Sequence, residues 1–393
     1  MPIFALVTIA PCLLVGAAAV LGGVWAWGAL LYMTVLVASM DRLVSAASGS
    51  ADPEAEFPAS ETLLVLLGGL HFAMLVAALW GVAGPSGLSV AERVALGGGA
   101  GLIFGQISHP VAHELIHKPA RWMRWLGRWM YTSLLAGHHA SAHLLIHHVH
   151  VGSDRDPNSA PRGETFYRYM ARVTRQSFMT ALALETARRA RAGKSWLGHP
   201  FVVYVGGGAA VLGAVVAGFG WIGGLAFLSI VVHAQVQILM SDYVQHYGLR
   251  RIAQADGRLE PVGPQHAWNA PDVFSSALMV NAPRHSDHHM SPNRAYPALQ
   301  LDPDAMPQLP YALPVMGVIA LWPKLWFRLM NPLCDVWQAV PGEVAGIGGI
   351  RPQGPLGRNA TGQRGGQAGA HLAHSSHAQT APSLLSSGAQ PHR

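Results

Sequence analysis

The first 40 residues of the chain contain no Asp, Glu, Lys or Arg. One helix needs only about 20 apolar residues to cross a bilayer, so this run is long enough for two. Charged residues make up 12% of the whole chain, about half of the usual share. We therefore predict an all-α polytopic membrane protein with about six transmembrane helices. The predicted spans lie near 3–21, 24–40, 61–83, 94–112, 199–219 and 222–241, with glycine breaks at Gly22-Gly23 and Gly220.

The distribution of Lys and Arg predicts the orientation of these spans, because cytoplasmic segments carry an excess of both. Thirteen Lys and Arg residues are concentrated after the fourth span, and Arg250 and Arg251 follow the sixth. The turns near 22, 84–90 and 220 contain neither residue. We therefore expect a cell inner membrane protein with a cytoplasmic N-terminus. The net charge of +6 does not imply nucleic acid, since no nucleic-acid motif accompanies it.

Composition divides the chain into two parts. Residues 1–340 form the predicted membrane domain, whereas 341–393 are rich in Gly, Ser, Ala, Gln and Pro. A segment of that composition cannot bury a core, so we predict a disordered tail. Solvent exposure is a simpler interpretation of the tail histidines than metal binding. These histidines are His371, His374, His377 and His392.

Nine other histidines form four tight clusters, each close to the end of an apolar stretch. They are His113, His117, His143, His147, His148, His246, His285, His288 and His289. Neutral imidazole is the commonest metal ligand among side chains, and one metal seldom needs more than five protein ligands. The count therefore predicts two metal ions. With only two cysteines in the chain, iron, copper or zinc is favoured over an iron–sulfur cluster.

The first cluster is a complete metal-binding motif by itself. In His113-Glu-Leu-Ile-His117 the two imidazoles lie four residues apart, so a helix presents both on one face. Taken alone, this HExxH pattern indicates an intramembrane zinc protease with Glu114 as the general base. A zinc protease needs only one further ligand, which would leave the other clusters unexplained. A metal transporter is a third alternative, but ionisable residues within the predicted spans are few.

The other clusters use similar spacings. His143 and His147 repeat the four-residue interval, and the adjacent His148 points about 100° away on a helix, so it can serve a different ion. His285, His288 and His289 combine the three- and four-residue intervals. The isolated His246 joins the set because it follows the sixth span. His109, His138, His139 and His150 break these spacings and are left out.

The motifs together resemble those of the membrane alkane 1-monooxygenases, and they occur in that family's order. They are His113-Glu-Leu-Ile-His117-Lys118, His143-x-x-x-His147-His148, Asp156-Pro157 with Gly163-Glu164, Tyr243-x-Gln-His246-Tyr247-Gly248 and Arg284-His-Ser-Asp-His-His289. The resemblance covers about residues 1–335. It is less specific within the wider group of fatty acid desaturases and xylene monooxygenase-like hydroxylases.

The resemblance implies a non-haem diiron enzyme in which the nine histidines hold two iron ions (Fe2+/Fe3+). Such an enzyme uses O₂ to hydroxylate the terminal carbon of an alkane within the membrane. Electrons would come from rubredoxin or a ferredoxin with its reductase. Carboxylates near the clusters could offset the positive charge and orient imidazoles. The candidates are Glu114, Asp156, Glu164, Asp242 and Asp287, of which Asp156 and Glu164 rank highest because they fall in motif positions.

Three positions depart from the alkane hydroxylase pattern. Ala142 and Ile146 stand where the family usually has glutamate and glycine, and Gln245 stands where many members have glutamate. None of the three is a predicted ligand, so the departures bear on the substrate. They leave open hydroxylation of alkyl-aromatic methyl groups, of the xylene or cymene type, and fatty acyl desaturation.

Two further surface features remain open to two interpretations each. The arginine-rich segment 168–194 could steer an acidic electron carrier or bind anionic lipid. The glycines of 97–105 could line a substrate channel, although close helix packing is the simpler interpretation. Trp25 and Trp27 could line a tunnel or lie in the aromatic belt at the membrane interface.

Overall fold

The computed structural model describes residues 1–44 and 49–338 of the chain. The tail predicted for 341–393 lies outside these described residues. The described chain is helical, and its only β-type pairings are two isolated bridges. The α-helices are α1 (Pro2–Leu21), α2 (Trp25–Leu31), α3 (Val37–Leu43), α4 (Pro58–Ala83), α5 (Val90–Ile103), α6 (His109–His117), α7 (Arg121–Ser133), α8 (His139–Ala142), α9 (His148–His150), α10 (Phe166–Arg191), α11 (Gly208–His246), α12 (Val273–Leu278), α13 (His285–Met290), α14 (Leu313–Ala320) and α15 (Pro323–Gln338).

Short segments of tighter or wider helix connect several of these helices. The π-helical turns are Tyr32–Leu36, Phe104–Ser108, His143–His147 and Val202–Gly207. The 3₁₀ turns are Trp196–Gly198, Pro264–His266 and Tyr296–Ala298. Because π-helical turns are rare and are frequent at functional sites, the turn that contains two of the predicted ligands stands out.

Three helical segments of the described chain are long and apolar enough to cross a membrane. They are Pro2–Leu21, Pro58–Ala83 and Val202–His246. Two other predicted spans coincide with helical runs that a π-helical turn interrupts, α2–α3 and α5–α6. The fold is thus that of an all-α membrane protein, whereas the number of six spans stays a prediction.

The long segment Val202–His246 turns back on itself at Gly220. This residue has φ 70° and ψ −174°, a conformation that favours glycine. A Cβ atom placed on Gly224 would lie 2.9 Å from Val216 Cγ2 and 4.0 Å from Leu212 Cδ1. In one straight helix Leu212 would be about 18 Å away along the axis. The segment is therefore a pair of antiparallel helices, as the sequence predicted.

The membrane helices pack closely, with α5 in contact with α2, α4 and α11. Glycine makes one of these contacts possible, because a Cβ on Gly99 would lie 2.7 Å from the backbone nitrogen of Leu30. Gly99 thus serves helix packing, whereas Gly105 of the same run also lines an apolar cavity. Trp25 and Trp27 are 44% and 42% exposed, as expected for residues on the outside of the bundle.

The helix that carries His246 is fixed at its end by a second buried core. Trp268 is fully buried there; its indole Nε1 donates to the carbonyl of Tyr247 at 2.9 Å, and its backbone N donates to the carbonyl of Gln245 at 2.8 Å. Trp326 of α15 packs against the ring of Tyr247 with the ring centroids 5.3 Å apart. These contacts lock the backbone on both sides of His246, so the imidazole is presented from a rigid helix end.

Candidate metal centre

The nine predicted histidines converge into two groups, each compact enough to hold a metal ion. The first group contains His113, His117, His143, His148 and His288, and the second contains His147, His246, His285 and His289. Within each group the candidate ligand atoms all lie within 4.8 Å of one another. The four clusters of the sequence are therefore two sites in space, and both draw on α13 and the segment 143–148.

In the five-histidine group the Nε2 atoms face one another. His143 Nε2 lies 3.1 Å from His117 Nε2 and 2.8 Å from His148 Nε2. His148 Nε2 also lies 3.1 Å from His288 Nε2. An imidazole nitrogen has one proton or one lone pair, so His143 and His148 can each satisfy only one of two contacts by hydrogen bonding. Two nitrogens on one metal at about 2.1 Å are about 3 Å apart at a right angle, which matches the observed spacings.

The four-histidine group has the same geometry. His285 Nε2 lies 2.9 Å from His246 Nε2 and 3.2 Å from His289 Nε2. A single hydrogen bond again cannot account for both contacts. His147 completes the group: its buried Nε2 has no hydrogen-bond partner, which leaves this atom free to bind a metal.

The division of the ligands differs in one respect from the helix spacing. The four-residue interval predicted that His143 and His147 share a face, but they belong to different groups, and His148 joins His143. The cause is the π-helical turn His143–His147, because π-helical hydrogen bonds join residues five apart. In α13 the expected interval holds, since His285 and His289 share the four-histidine group.

The electrostatic environment suits neutral imidazole ligands. Burial lowers the pKa of His148 and His288 well below the usual value, and neighbouring imidazoles lower it further. A metal ligand must be deprotonated at its binding nitrogen, so low pKa values keep the rings ready to bind. The residues present fit an imidazole-rich site for iron, zinc or copper, while Cys12 and Cys334 are free thiols elsewhere.

Asp156 is the candidate carboxylate that contacts a proposed ligand directly. His147 Nδ1 lies 2.9 Å from Asp156 Oδ2, which also accepts a hydrogen bond from Ser159 Oγ at 2.7 Å. The Asn158 backbone N donates to Asp156 Oδ1 at 3.0 Å. Burial lowers the pKa of His147, but the Asp156 carboxylate overrides this and the net shift of the pKa is upward. Asp156 thus fixes the tautomer of His147 with Nε2 directed to the metal group.

Two of the other candidate carboxylates are engaged by arginines. Both oxygens of Glu164 accept hydrogen bonds from Arg172, at 2.8 Å and 2.7 Å. Asp287 forms an ion pair with Arg294 and accepts a hydrogen bond from the Gln300 backbone N at 2.8 Å. Among the hydrogen bonds of the described residues, neither carboxylate reaches a histidine ring. The two carboxylates and their arginine partners hold the loops around the site.

Glu114 and Asp242 are buried close to the histidines but have other partners. Glu114 lies 4.0 Å from the Lys118 ammonium group, and burial raises the pKa of its carboxyl to about 7 despite that cation. Asp242 accepts a hydrogen bond from the Asn158 side chain at 2.5 Å. Asn158 therefore connects the carboxylate on α11 with the loop that carries Asp156.

Gln245, one of the three departures from the family pattern, has a defined structural use. Its Oε1 accepts from Ser241 Oγ at 2.9 Å, and its Nε2 donates to the Ala282 carbonyl at 3.1 Å. A glutamate could not donate that second bond when ionised. Gln245 thus ties α11, which carries His246, to the segment just before His285.

Two histidines outside the predicted set lie beside the five-histidine group. His109 is buried with its ring centroid 6.2 Å from that of His113. His139 stacks at 5.6 Å on His143. Neither belongs to a metal group. His109 lies four residues before His113 on one helix, and this interval is the signal that could have identified it.

A cavity of about 270 Å³ lies beside the centre, between α2–α3, the π-helical turn before α6, α11 and α14. Its walls are mostly aliphatic, with Met33, Leu102, Val236 and Leu313 among them, and His109 also faces it. An apolar space of this volume between membrane helices fits an alkyl chain.

Comparison with known proteins places the chain among membrane oxygenases. A sequence profile described as Fatty acid desaturase matches residues 92–319, which contain all nine histidines. An alkane 1-monooxygenase 2 of Pseudomonas aeruginosa is 30% identical over 329 residues, 80% of this chain and 85% of its own length. The chain belongs to the fatty acid desaturase family, with the alkane 1-monooxygenases. This confirms the family predicted from the motifs.

Other relatives show the range of substrates named within this group. Alkane 1-monooxygenase 2 of Alcanivorax borkumensis is 27% identical over 80% of this chain and 84% of its own length. The xylene/toluene monooxygenase hydroxylase component of Pseudomonas putida is 31% identical over 60% of this chain and 63% of its own length. All of these relatives are named as monooxygenases, which are oxidoreductases. The family implies non-haem iron as the metal.

The contrast between Asp156 and Glu164 yields a test of the site. Replacing Asp156 by Ala removes the acceptor of His147 and should weaken metal binding about 10–100-fold. Replacing Glu164 by Ala removes a partly buried carboxylate that contacts Arg172 instead, and metal binding should stay within a few-fold of the unchanged protein. Metal content after dialysis against graded chelator measures both. Equal retention in the two variants would contradict the assignment of Asp156.

Proposed function

We propose that this protein is an integral-membrane diiron monooxygenase that hydroxylates the terminal carbon of alkanes. The observation that carries the proposal is the arrangement of two imidazole groups beside an apolar cavity between membrane helices. The HExxH motif supports this function rather than a zinc protease, because His113 and His117 share a group with three further histidines.

Each histidine group would hold one iron ion, the first with five imidazoles and the second with four. The family implies that iron, when bound, activates O₂ with two electrons and two protons, so that one oxygen atom enters a C–H bond and the other becomes water. The chain supplies position and environment. Asp156 and the rigid end of α11 orient the ligands of the second group, while the buried setting of both groups excludes bulk water.

The apolar cavity indicates the class of substrate that the protein would bind. Its aliphatic wall favours a saturated chain, and each buried methylene contributes about 0.8 kcal/mol to binding. The alkyl substrate would enter the cavity from the bilayer, between α14 and the α2–α3 segment. Hydroxylation of alkyl-aromatic methyl groups is the second candidate, supported by Gln245 at the position where many alkane hydroxylases have glutamate and by the similarity to the xylene/toluene enzyme.

The reaction can be tested in membranes that contain the protein, a carrier and its reductase. With n-dodecane and isotopically labelled O₂ we expect the terminal alcohol, carrying one labelled oxygen atom per molecule. The variant His285→Ala, which should lose a metal ligand, serves as the inactive control. Unlabelled alcohol, or product formation by the control at an equal rate, would contradict a monooxygenase at this site. A substrate panel including p-xylene distinguishes the two candidate functions.

The partner and location follow from the same proposal. We place the protein in the cell inner membrane with the histidine groups on the cytoplasmic side, where rubredoxin or a ferredoxin would deliver electrons. The support is the excess of Lys and Arg in the segments that carry the histidines.

A cationic cleft offers a docking place for such a carrier. It has a volume of about 640 Å³, and four arginines and one aspartate line it together with His150. These charged residues are Arg155, Arg250, Arg251, Arg258 and Asp154. The excess of positive charge complements an acidic protein and speeds its association.

Hydrogen bonds connect the floor of this cleft with the second metal group. The backbone N of Gly152, which lines the cleft, donates to Ser159 Oγ at 2.8 Å. Ser159 Oγ donates to Asp156 Oδ2 at 2.7 Å, and Asp156 Oδ2 lies 2.9 Å from His147 Nδ1. A carrier in the cleft would therefore be close to the four-histidine group. We favour this surface over the arginines of 168–194 for that reason.

Charge reversal separates the two surfaces. The double change Arg155→Glu with Arg258→Glu should raise the KM for a reduced rubredoxin about tenfold at low salt, and less at high salt because ions screen the attraction. The matched control is Arg175→Glu with Arg188→Glu on the exposed face of α10, which should leave this KM unchanged. The opposite result would assign docking to α10, and no effect in either variant would contradict electrostatic docking.

A further inference from the structure

His109 occupies a position that no other described histidine shares. It is the only histidine that lines the apolar cavity within the described chain, and its ring also faces the ring of the ligand candidate His113. It is 7% exposed. A polar ring is thus buried at the boundary between an aliphatic space and a metal group.

The helix geometry sets the distance across this boundary. His109 and His113 are four residues apart on α6, which is about 6 Å along the axis. On the other side, the cavity residue Ser241 precedes the ligand candidate His246 by five residues on α11, about 7.5 Å along that axis. Pro110 and Ala282 also line the cavity, and each precedes a ligand candidate by three residues. The cavity therefore ends about one helical turn short of the ligand candidates, and His109 lies beside Pro110 in the wall at that end.

Two buried neighbours hold the His109 ring in place. Its Nδ1 lies 2.9 Å from the hydroxyl of Tyr131, which is fully buried. The ring centroid of His139 lies 5.5 Å from that of His109 and 5.0 Å from that of Tyr131. A side chain fixed on two sides can act as a rigid wall.

We propose that His109 is a specificity-determining residue, whose imidazole closes the metal end of the cavity and limits how far an alkyl chain advances. The limit would present the terminal carbon to the metal group and keep inner carbons away. This inference rests on the proposed function, since it names the part of the cavity that selects the position of attack. It assigns no metal and no proton transfer to His109.

Side-chain volume at this position is the variable to test. In His109→Asn the cavity is longer, yet an amide remains to pair with Tyr131. A larger share of the alcohol made from n-dodecane should carry its hydroxyl on an inner carbon. The kcat/KM for forming the terminal alcohol should fall about 100-fold, which is the usual effect of misplacing a substrate by about 1 Å. In His109→Phe a ring of similar size remains. The Tyr131 hydroxyl still has a hydrogen-bond acceptor there, because the backbone carbonyl of residue 109 lies 3.3 Å away. Its products should match those of the unchanged protein.

Binding to the iron-loaded protein without an electron donor gives a second readout that does not depend on turnover. The ratio of n-hexadecane to n-dodecane affinity should rise about tenfold in His109→Asn, because the added space accepts about two more methylenes. It should not change in His109→Phe. His138→Ala is the matched control: His138 packs on Phe178 with ring centroids 5.2 Å apart and does not line the cavity.

Each outcome bears on one of the two claims. Unchanged products and unchanged affinity ratio in His109→Asn would overturn the role of His109, even if the unchanged protein makes terminal alcohol. Absence of alcohol from the unchanged protein would overturn the proposed function, while the affinity ratio still decides the role of His109. Equal thermal midpoints of the variants would show that folding is not the cause of a difference.

Discussion

The structure depends on bringing nine imidazoles into two buried groups in which nitrogen atoms of different rings face one another. A buried polar atom without a partner costs about 1–3 kcal/mol, and His147 Nε2 in the second group is such an atom. Several close nitrogen–nitrogen contacts also exceed what hydrogen bonds can satisfy. A folded protein sustains such an arrangement where a bound cation offsets the cost. A cation bound in each group would therefore also stabilise this end of the fold.

The surrounding scaffold meets this demand with rigid elements. The candidate ligands come from α6, from the π-helical turn His143–His147 and the start of α9, from the end of α11 and from α13. Trp268 fixes the end of α11 through two hydrogen bonds, and Asp156 fixes His147. Arginine pairs hold Glu164, just before α10, and Asp287 on α13. Helices α6 and α11 also line the apolar cavity, so these two elements border both the histidine groups and the cavity.

The sequence predicted the helical membrane fold, the hairpin at Gly220 and the residues of the centre because each depends on local composition or on spacing along one helix. The π-helical turns that interrupt two of the predicted spans, and the separation of His143 from His147, could not be predicted, since a π-helical turn has no reliable sequence signal. The contacts that a residue makes with partners outside its own local segment could not be predicted either. Nothing in the local sequence distinguishes Asp156, which contacts His147, from Glu164, which pairs with Arg172, and His109 acquires its place only when α11 and α14 close the cavity.

Two metal ions held separately by the nine histidines are the arrangement on which the proposed chemistry depends. Anomalous X-ray diffraction at the iron edge, from crystals of the iron-loaded protein, locates such ions. We predict two iron peaks, one among His113, His117, His143, His148 and His288 and the other among His147, His246, His285 and His289. A single peak, or a zinc signal confined to His113 and His117, would contradict the account.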